Sequence, residues 1–227
     1  MKIDLTRYTS GRTALSDLDA SIERLERCRL EGAQAEDLVR LSEQLLLRGD
    51  VLGRVADHDR AATIATEAGA LFPAHRDAIV LQARVATRLH RFEEAHALLD
   101  RAMVVDRANR QVMDARAALL QATGKFWEAL ELRDRLARED RNLQTLGALA
   151  TLSAEAGQWA MAEMLYADAL RADDGMSPLP CARLLFEWAM GAMRNGAMDR
   201  AQQLFAHVET LLPGHASARH QLAALQA

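Results

Sequence analysis

The residues Asp57, His58 and Asp59 form the densest group of potential metal ligands in the chain. Carboxylate oxygens and imidazole nitrogens both bind divalent cations. The same three residues also stand where a helix is expected to begin, and aspartate is favoured there by the positive end of the helix dipole. We therefore expect a helix start at this point, with no metal site and no cofactor.

The other histidines and the cysteines are spaced too unevenly to form a reactive site. His90 and His96 lie six residues apart across a predicted turn, so they do not share a helical face. Cys28 and Cys181 are far apart and belong to no CxxC pair, which indicates reduced packing residues and favours a cytoplasmic protein. Phosphate-binding glycine loops, HExxH and GxSxG are absent. The sequence predicts no catalytic residue, and hence no enzyme.

Composition excludes two further classes of function. The net charge is −4 over 227 residues, so no basic field attracts nucleic acid or anionic lipid. No run of 18 apolar residues could cross a membrane, and residues 1–7 lack the apolar stretch of a secretion signal. Half of the residues are apolar, only four are proline, and alanine is abundant, which predicts a nearly all-helical protein.

Any site must be positioned by helices, and an alanine that recurs every 33 to 39 residues indicates how these helices repeat along the chain. A glycine, a histidine or an alanine stands five residues before each copy, and an aromatic residue, a methionine or a histidine stands three before it. A period in this range is typical of a solenoid, in which each repeat packs on its neighbours. The recurring residues, predicted to pack where helices meet closely, are Ala61, Ala95, Ala129, Ala162 and Ala201.

Each repeat is predicted to contain two helices joined by a tight turn. Apolar residues four and seven positions after the alanine share its helical face, and a very small residue twelve positions before it lies in the preceding helix. The phrases over residues 91–95 and 124–129 resemble the tetratricopeptide repeat (TPR) family, and a bacterial member of it. The resemblance implies an all-α, right-handed superhelix of about five helix-turn-helix repeats. Arg133 departs from the pattern, because it replaces an apolar packing residue.

The repeats predict the domain organisation. Residues 1–41 hold a leading segment and a capping helix, in which Ser16 and Asp19 resemble a capping box and Gly32 ends the helix. This helix either covers the first repeat or joins two copies of the chain. An insertion at 177–181 contains Pro178 and Pro180, which indicate an extended or turned path. The predicted repeats span 42–75, 76–109, 110–142, 143–176 and 182–215, and a C-terminal capping helix spans 216–227.

The resemblance also implies a binding surface, since the first helices of TPR repeats line a concave groove that receives a peptide or a helix. Glu43 and Asp50 fall on groove-facing positions. The lysine and asparagine pattern with which some members clamp a C-terminal carboxylate is missing, which disfavours a chaperone-tail receptor. The residues predicted to contact a partner are Arg54, Arg84, Arg88, Asp114, Phe186, Met190, Met193 and Arg194.

These groove residues divide into a basic end and an apolar end. Arg84 and Arg88 are four residues apart and share a helical face, where they either meet acidic side chains of a partner or form a solvated, ion-paired surface. Phe186, Met190 and Met193 offer an adaptable apolar anchor unless the C-terminal helix covers them. The main hypothesis is a non-catalytic adaptor that binds a protein segment. The alternatives are a self-associating module, such as a homodimer, and a regulatory part of an enzyme complex.

Overall fold

The described part of the chain is built from α-helices alone. The computed structural model describes residues 3–106, 109–173 and 175–226, which contain twelve helices and no strand. The described residues are 81% helical, which confirms the predicted all-α class. The helices are α1 (Gly11–Gly32), α2 (Ala35–Leu52), α3 (Val55–Leu71), α4 (Arg76–Arg88), α5 (Phe92–Val105), α6 (Arg110–Ala122), α7 (Phe126–Glu139), α8 (Leu143–Glu155), α9 (Trp159–Arg171), α10 (Pro178–Arg194), α11 (Met198–Leu211) and α12 (Ala216–Gln226).

One turn between paired helices differs from the sequence-based expectation. Ala56 stands five residues before Ala61, where the repeat pattern predicts the turn between the two helices of the first repeat. The structure instead places Ala56 inside α3. The turn lies instead at Gly53, whose φ of +67° is a left-handed conformation that glycine adopts without steric cost. Because the turn comes earlier, α3 begins six residues before Ala61, whereas α5 begins three residues before Ala95.

The start of α1 also corrects the prediction. Ser16 and Asp19 do not form a capping box, because both lie well inside a helix that begins at Gly11. Ser10 takes the capping role, and its hydroxyl accepts a hydrogen bond from the Thr13 backbone N–H at 3.1 Å. The helix ends at Gly32, as the sequence predicts.

The predicted insertion at 177–181 is largely helical. Pro178 opens α10, after Ser177, whose hydroxyl accepts a hydrogen bond from the Leu179 backbone N–H at 3.4 Å. Proline is tolerated in the first turn because its missing N–H would have no helical partner there. Helix α9 ends at Arg171 and α10 begins at Pro178, so the connection between them is longer than the four residues between α3 and α4.

The helices fall into two compact units. Unit I comprises Leu18–Asp50 and Arg54–Leu132, and unit II comprises the residues up to Asp17, Val51–Gly53 and the residues from Arg133 onward. In unit I, α4 packs on α3, α5 and α6. The part of α1 in unit I buries Leu18, Ile22 and Leu25 among leucines of α2, as expected of a helix that covers the first repeat.

In unit II, α8 packs on α9 and α10, and α11 packs on α10 and α12. Ala218 of α12 is buried, whereas Leu222 and Leu225 of the same helix are only half-buried. Arg133 is buried, although its charge departs from the repeat pattern. Across the described residues, no helix is long and apolar enough to cross a membrane. The recurring alanines, all with no exposed surface, are Ala61, Ala95, Ala129, Ala162 and Ala201.

Candidate functional site

The first helices of the repeats in unit I are linked by a row of ion pairs. The Arg84 guanidinium, on α4, donates to the Glu43 carboxylate on α2 at 3.1 Å and to the Asp114 carboxylate on α6 at 3.3 Å. Arg84 is half-buried, and the two carboxylates keep nearly half of their side-chain surface exposed. One arginine therefore connects three helices on a single face of unit I.

A second ion pair lies one helical turn further along α4. Arg88 Nη2 donates to Asp50 Oδ1 at 2.7 Å and to His58 Nδ1 at 3.4 Å. Because a guanidinium can only donate, His58 Nδ1 is the acceptor and carries no proton in this arrangement. His58 Nε2 lies 3.6 Å from Asp50 Oδ1. His58, in the first turn of α3, thus provides a further hydrogen-bond acceptor for Arg88, a role that the sequence did not indicate.

These ion pairs define a surface that we call the acid–base stripe. Its two arginines face three carboxylates, so the stripe carries one net negative charge when His58 is neutral. Exposed ion pairs of this kind contribute about 0–1 kcal/mol each. A partner can therefore exchange them for its own charged groups at little cost. The residues of the acid–base stripe are Glu43, Asp50, Arg84, Arg88 and Asp114.

Arg54 is predicted to project from a first helix, but the structure places it elsewhere. Helix α2 ends at Leu52, and Arg54 occupies the N-cap position of α3 with an extended backbone. The early turn at Gly53 is the cause of this displacement. Arg54 is exposed but does not belong to the acid–base stripe.

The apolar residues predicted on α10 are partly covered within unit II. Phe186 stacks on His215, which precedes α12, with ring centroids 5.2 Å apart. Met190 and Met193 are half-buried. Arg194, the last residue of α10, lies 3.5 Å from the Glu155 carboxylate. The loop before α12 therefore reduces the apolar anchor that the sequence predicts.

Unit II also contains an aromatic cluster that sequence reasoning missed. Tyr166 stacks on Trp188 at 5.4 Å, and the Arg200 guanidinium lies 4.6 Å from the Trp188 ring. The Tyr166 hydroxyl donates to Thr151 Oγ1 at 3.0 Å. Burial raises the pKa of Tyr166 well above its ordinary value. Because both rings are buried, this cluster stabilises the packing of α8, α9 and α10.

In the group of Asp57, His58 and Asp59, the side chains of Asp57 and His58 are engaged by other residues. Asp57 is buried in the first turn of α3 and accepts two hydrogen bonds of 2.7 Å from Arg48. These bonds hold the pKa of Asp57 below its ordinary value. Arg48 also donates to Asp19 on α1 at 2.8 Å. Within the described ranges, no group of three or more histidine, cysteine or acidic side chains could hold a metal ion.

Comparison with known proteins supports the fold. No protein-family model and no curated protein matches the chain. A thermophilic TPR protein from Thermus thermophilus superposes with a TM-score of 0.69 at 18% identity, covering 85% of this chain and 99% of that one. A TPR protein from Parabacteroides merdae gives 0.61 at 16% identity, covering 95% and 94%. PilF of Pseudomonas aeruginosa gives 0.54 at 16% identity, covering 84% and 88%.

These similarities establish the fold of the chain. The structures that resemble it are bacterial TPR proteins, so the predicted TPR fold is confirmed. Identities of 16% to 18% establish architecture and not function, because one fold supports many binding surfaces. The role of the chain must therefore be argued from its own side chains.

Proposed function

We propose that the chain is a non-catalytic adaptor that binds a segment of another protein on the acid–base stripe of unit I. A TPR fold is a protein-interaction fold, which supports this class of function. The single observation that carries the proposal is the row of half-exposed charged side chains that joins α2, α4 and α6. Such a row can align hydrogen-bonding groups along an extended chain.

The pairing of the arginines agrees with the second of the two sequence-based alternatives, an ion-paired surface, and this bears on the kind of partner that we propose. Arg84 and Arg88 alone predict an acidic partner, but each already contacts carboxylates in unit I. The net charge of the stripe is slightly negative, so a purely acidic segment would be repelled. We propose a mixed-charge segment in which a basic residue meets Glu43 or Asp50 and an acidic residue meets an arginine.

The remaining groove residues have a smaller part in this proposal. Phe186, Met190 and Met193 keep partial exposure on α10, and Arg194 lies beside them. Their apolar surface could hold a second anchor only if His215 moves from Phe186. We therefore assign the main binding energy to unit I and treat Arg54 as peripheral.

Selection of peptides from a random phage-displayed library, using the whole chain as bait, tests this function without a known partner. Binding of each selected peptide is then measured by fluorescence anisotropy with Arg84→Glu/Arg88→Glu. The matched control is Arg135→Glu/Arg138→Glu, which makes the same charge change on exposed residues of α7. Circular dichroism verifies that both variants remain helical.

We expect the stripe variant to bind at least about tenfold more weakly, a difference of about 1.4 kcal/mol. The control should change affinity less than about twofold, and binding should weaken as salt screens the exposed contacts. Equal effects of the two variants would contradict the proposal. Failure to select any peptide would contradict it as well.

A further inference from the structure

The segment Ile3–Ser10, which we call the clasp segment, contacts residues of unit II that are remote from it in the chain, at Leu170, Asp173 and Met176. Arg7 Nη2 donates to the Leu170 carbonyl at 3.0 Å, and Arg7 Nη1 donates to the Asp173 carbonyl at 3.2 Å. The Tyr8 hydroxyl donates to the Asp173 carboxylate at 2.6 Å. More than 160 residues therefore separate the two sides of this contact.

The surface that receives the clasp segment suits a cation followed by an aromatic residue. Leu170 lies in the last turn of α9, where carbonyl groups lack helical partners and form the negative end of the helix dipole. A planar guanidinium can bond two such carbonyls at once. Tyr8 is 9% exposed and also contacts the thiol of Cys181, which is completely buried.

Close approach also occurs at two glycines, one directly after the clasp segment and one on the receiving surface. A Cβ on Gly11 would lie 2.0 Å from the Leu211 carbonyl oxygen, so only glycine allows the chain to enter α1 at this point. Gly175, with a φ of +75°, would place a Cβ 2.8 Å from Arg7 Cδ. The Thr9 backbone N–H donates to the Met176 carbonyl at 3.3 Å. The connection between α9 and α10 thus acquires a role, since its residues Asp173, Gly175 and Met176 contact the clasp segment.

We propose that the surface formed by Leu170 at the end of α9, by Asp173, Gly175 and Met176, and by Cys181 at the start of α10 is a second peptide-binding site, and that the clasp segment is its built-in ligand. The ligand class is an extended segment with adjacent arginine and tyrosine side chains. The site uses different residues from the acid–base stripe and does not depend on the function proposed for it. A partner segment with the same pair of side chains would compete with the clasp segment.

The attachment of the clasp segment is weak enough to be exchanged. Arg7 keeps 37% of its side-chain surface exposed, and its ion pair with Asp173 is long at 3.8 Å. Among the described residues, the clasp segment is held by side-chain hydrogen bonds, by one backbone bond to Met176 and by the burial of Ile3 and Tyr8, without the ladder of backbone bonds found in a β-strand. Opening the clasp therefore breaks a few hydrogen bonds and exposes Tyr8 and Cys181.

The exposure of Cys181 gives a direct assay for the clasp. The other cysteine is removed by Cys28→Ser, and the reaction of Cys181 with the thiol reagent DTNB is followed in the full chain. Arg7→Ala/Tyr8→Ala opens the clasp, and Arg7→Gln/Tyr8→Phe is a milder variant that keeps the apolar bulk. The control is Arg12→Ala, since Arg12 is exposed on the neighbouring turn of α1.

The acetylated peptide of residues 3–10 is then added in trans. We expect the opened variants to react at least about tenfold faster than the parent, and saturating peptide should restore the slow rate. Tethered ligands reach effective concentrations of about the millimolar range, so the parent should bind labelled peptide at least about tenfold more weakly than the opened variants. A peptide with alanine at both the Arg7 and Tyr8 positions should not bind.

Two results would overturn the proposal. One is an opened variant, helical by circular dichroism, whose Cys181 reacts no faster than in the parent. The other is an opened variant that fails to bind the peptide of residues 3–10, or binds the alanine peptide equally well. Either result can occur while peptides still bind the acid–base stripe, so the two proposals fail separately.

Discussion

Replacing Asp57 with alanine should strongly destabilise unit I, because it breaks a buried ion pair. The side chains of Asp57 and Arg48 are 4% and 11% exposed, and two hydrogen bonds of 2.7 Å join them. Removing one partner of a buried ion pair costs about 3–5 kcal/mol, because the remaining charge stays buried without compensation. Asp19 still contacts Arg48 at 2.8 Å, so we expect the lower end, about 3 kcal/mol.

Thermal unfolding followed by circular dichroism measures this effect. For a chain of this size, 1 kcal/mol corresponds to about 2–4 °C, so Asp57→Ala should lower the Tm by about 6–12 °C. Asp19→Ala is the matched control. The Asp19 side chain is 46% exposed, so its ion pair with Arg48 should contribute only about 0–1 kcal/mol to the free energy of unfolding. Replacing both members of the pair, Arg48→Met with Asp57→Leu, should recover much of the loss. Equal Tm changes for Asp57→Ala and Asp19→Ala would refute the reasoning.

Three further predictions concern pH and packing. The pKa of Asp57 is lower in the folded protein than in the unfolded chain, where it is about 4. The ionised Asp57 therefore stabilises the fold above about pH 4, and this stabilisation is lost as the pH falls through the folded pKa. The difference in Tm between the parent and Asp57→Asn should accordingly narrow in acid. Burial raises the pKa of Tyr8 and of Tyr166. At about pH 10, tyrosinate absorbance should therefore stay low in the folded protein, whereas the tyrosines of the urea-unfolded chain are half ionised. Equal titration of the folded and the unfolded chain would contradict this prediction. Ala95→Trp should cost about 1–3 kcal/mol or more because Ala95 is completely buried, whereas Ala97→Trp on the exposed side of α5 should leave the Tm nearly unchanged.

The helical architecture was readable from the sequence because its signal is local and repeated. Helices α5, α7, α9 and α11 each begin three residues before a recurring alanine. The predicted start of α3 was wrong because the repeat pattern puts the preceding turn at Ala56. Gly53, a residue suited to a left-handed turn, lies nearby and forms the turn instead. The start of α1 was misplaced for a related reason, since Ser16 resembles a cap but Ser10 fills that position.

The chemical surroundings of the predicted site were much less readable. Periodicity places Arg84, Arg88 and Asp114 on first helices, but it does not show that Arg84 joins two carboxylates. The contact of Arg88 with His58 depends on the bend between α2 and α3, and that of Phe186 with His215 depends on the loop before α12. Such contacts are set by side-chain conformation and loop path, which a repeat pattern does not encode.

The clasp lay beyond sequence reasoning because its two sides are remote in the chain. Arg7 and Tyr8 have no repeat position, and nothing in their neighbourhood points to Asp173. The one available signal was the extra length of the connection before α10. That signal predicted an irregular loop, while the structure shows that the loop receives another part of unit II.

Hydrogen–deuterium exchange with a selected peptide bound to the unmodified chain tests the central proposal most directly. Binding on the acid–base stripe should slow amide exchange in α2, α4 and α6, the helices that carry it, more than in α3 and α5. Protection confined to α3 and α5 would contradict binding on the first helices. Protection confined to the connection between α9 and α10 would instead assign the peptide to the clasp site and would equally contradict the stripe as the main binding surface.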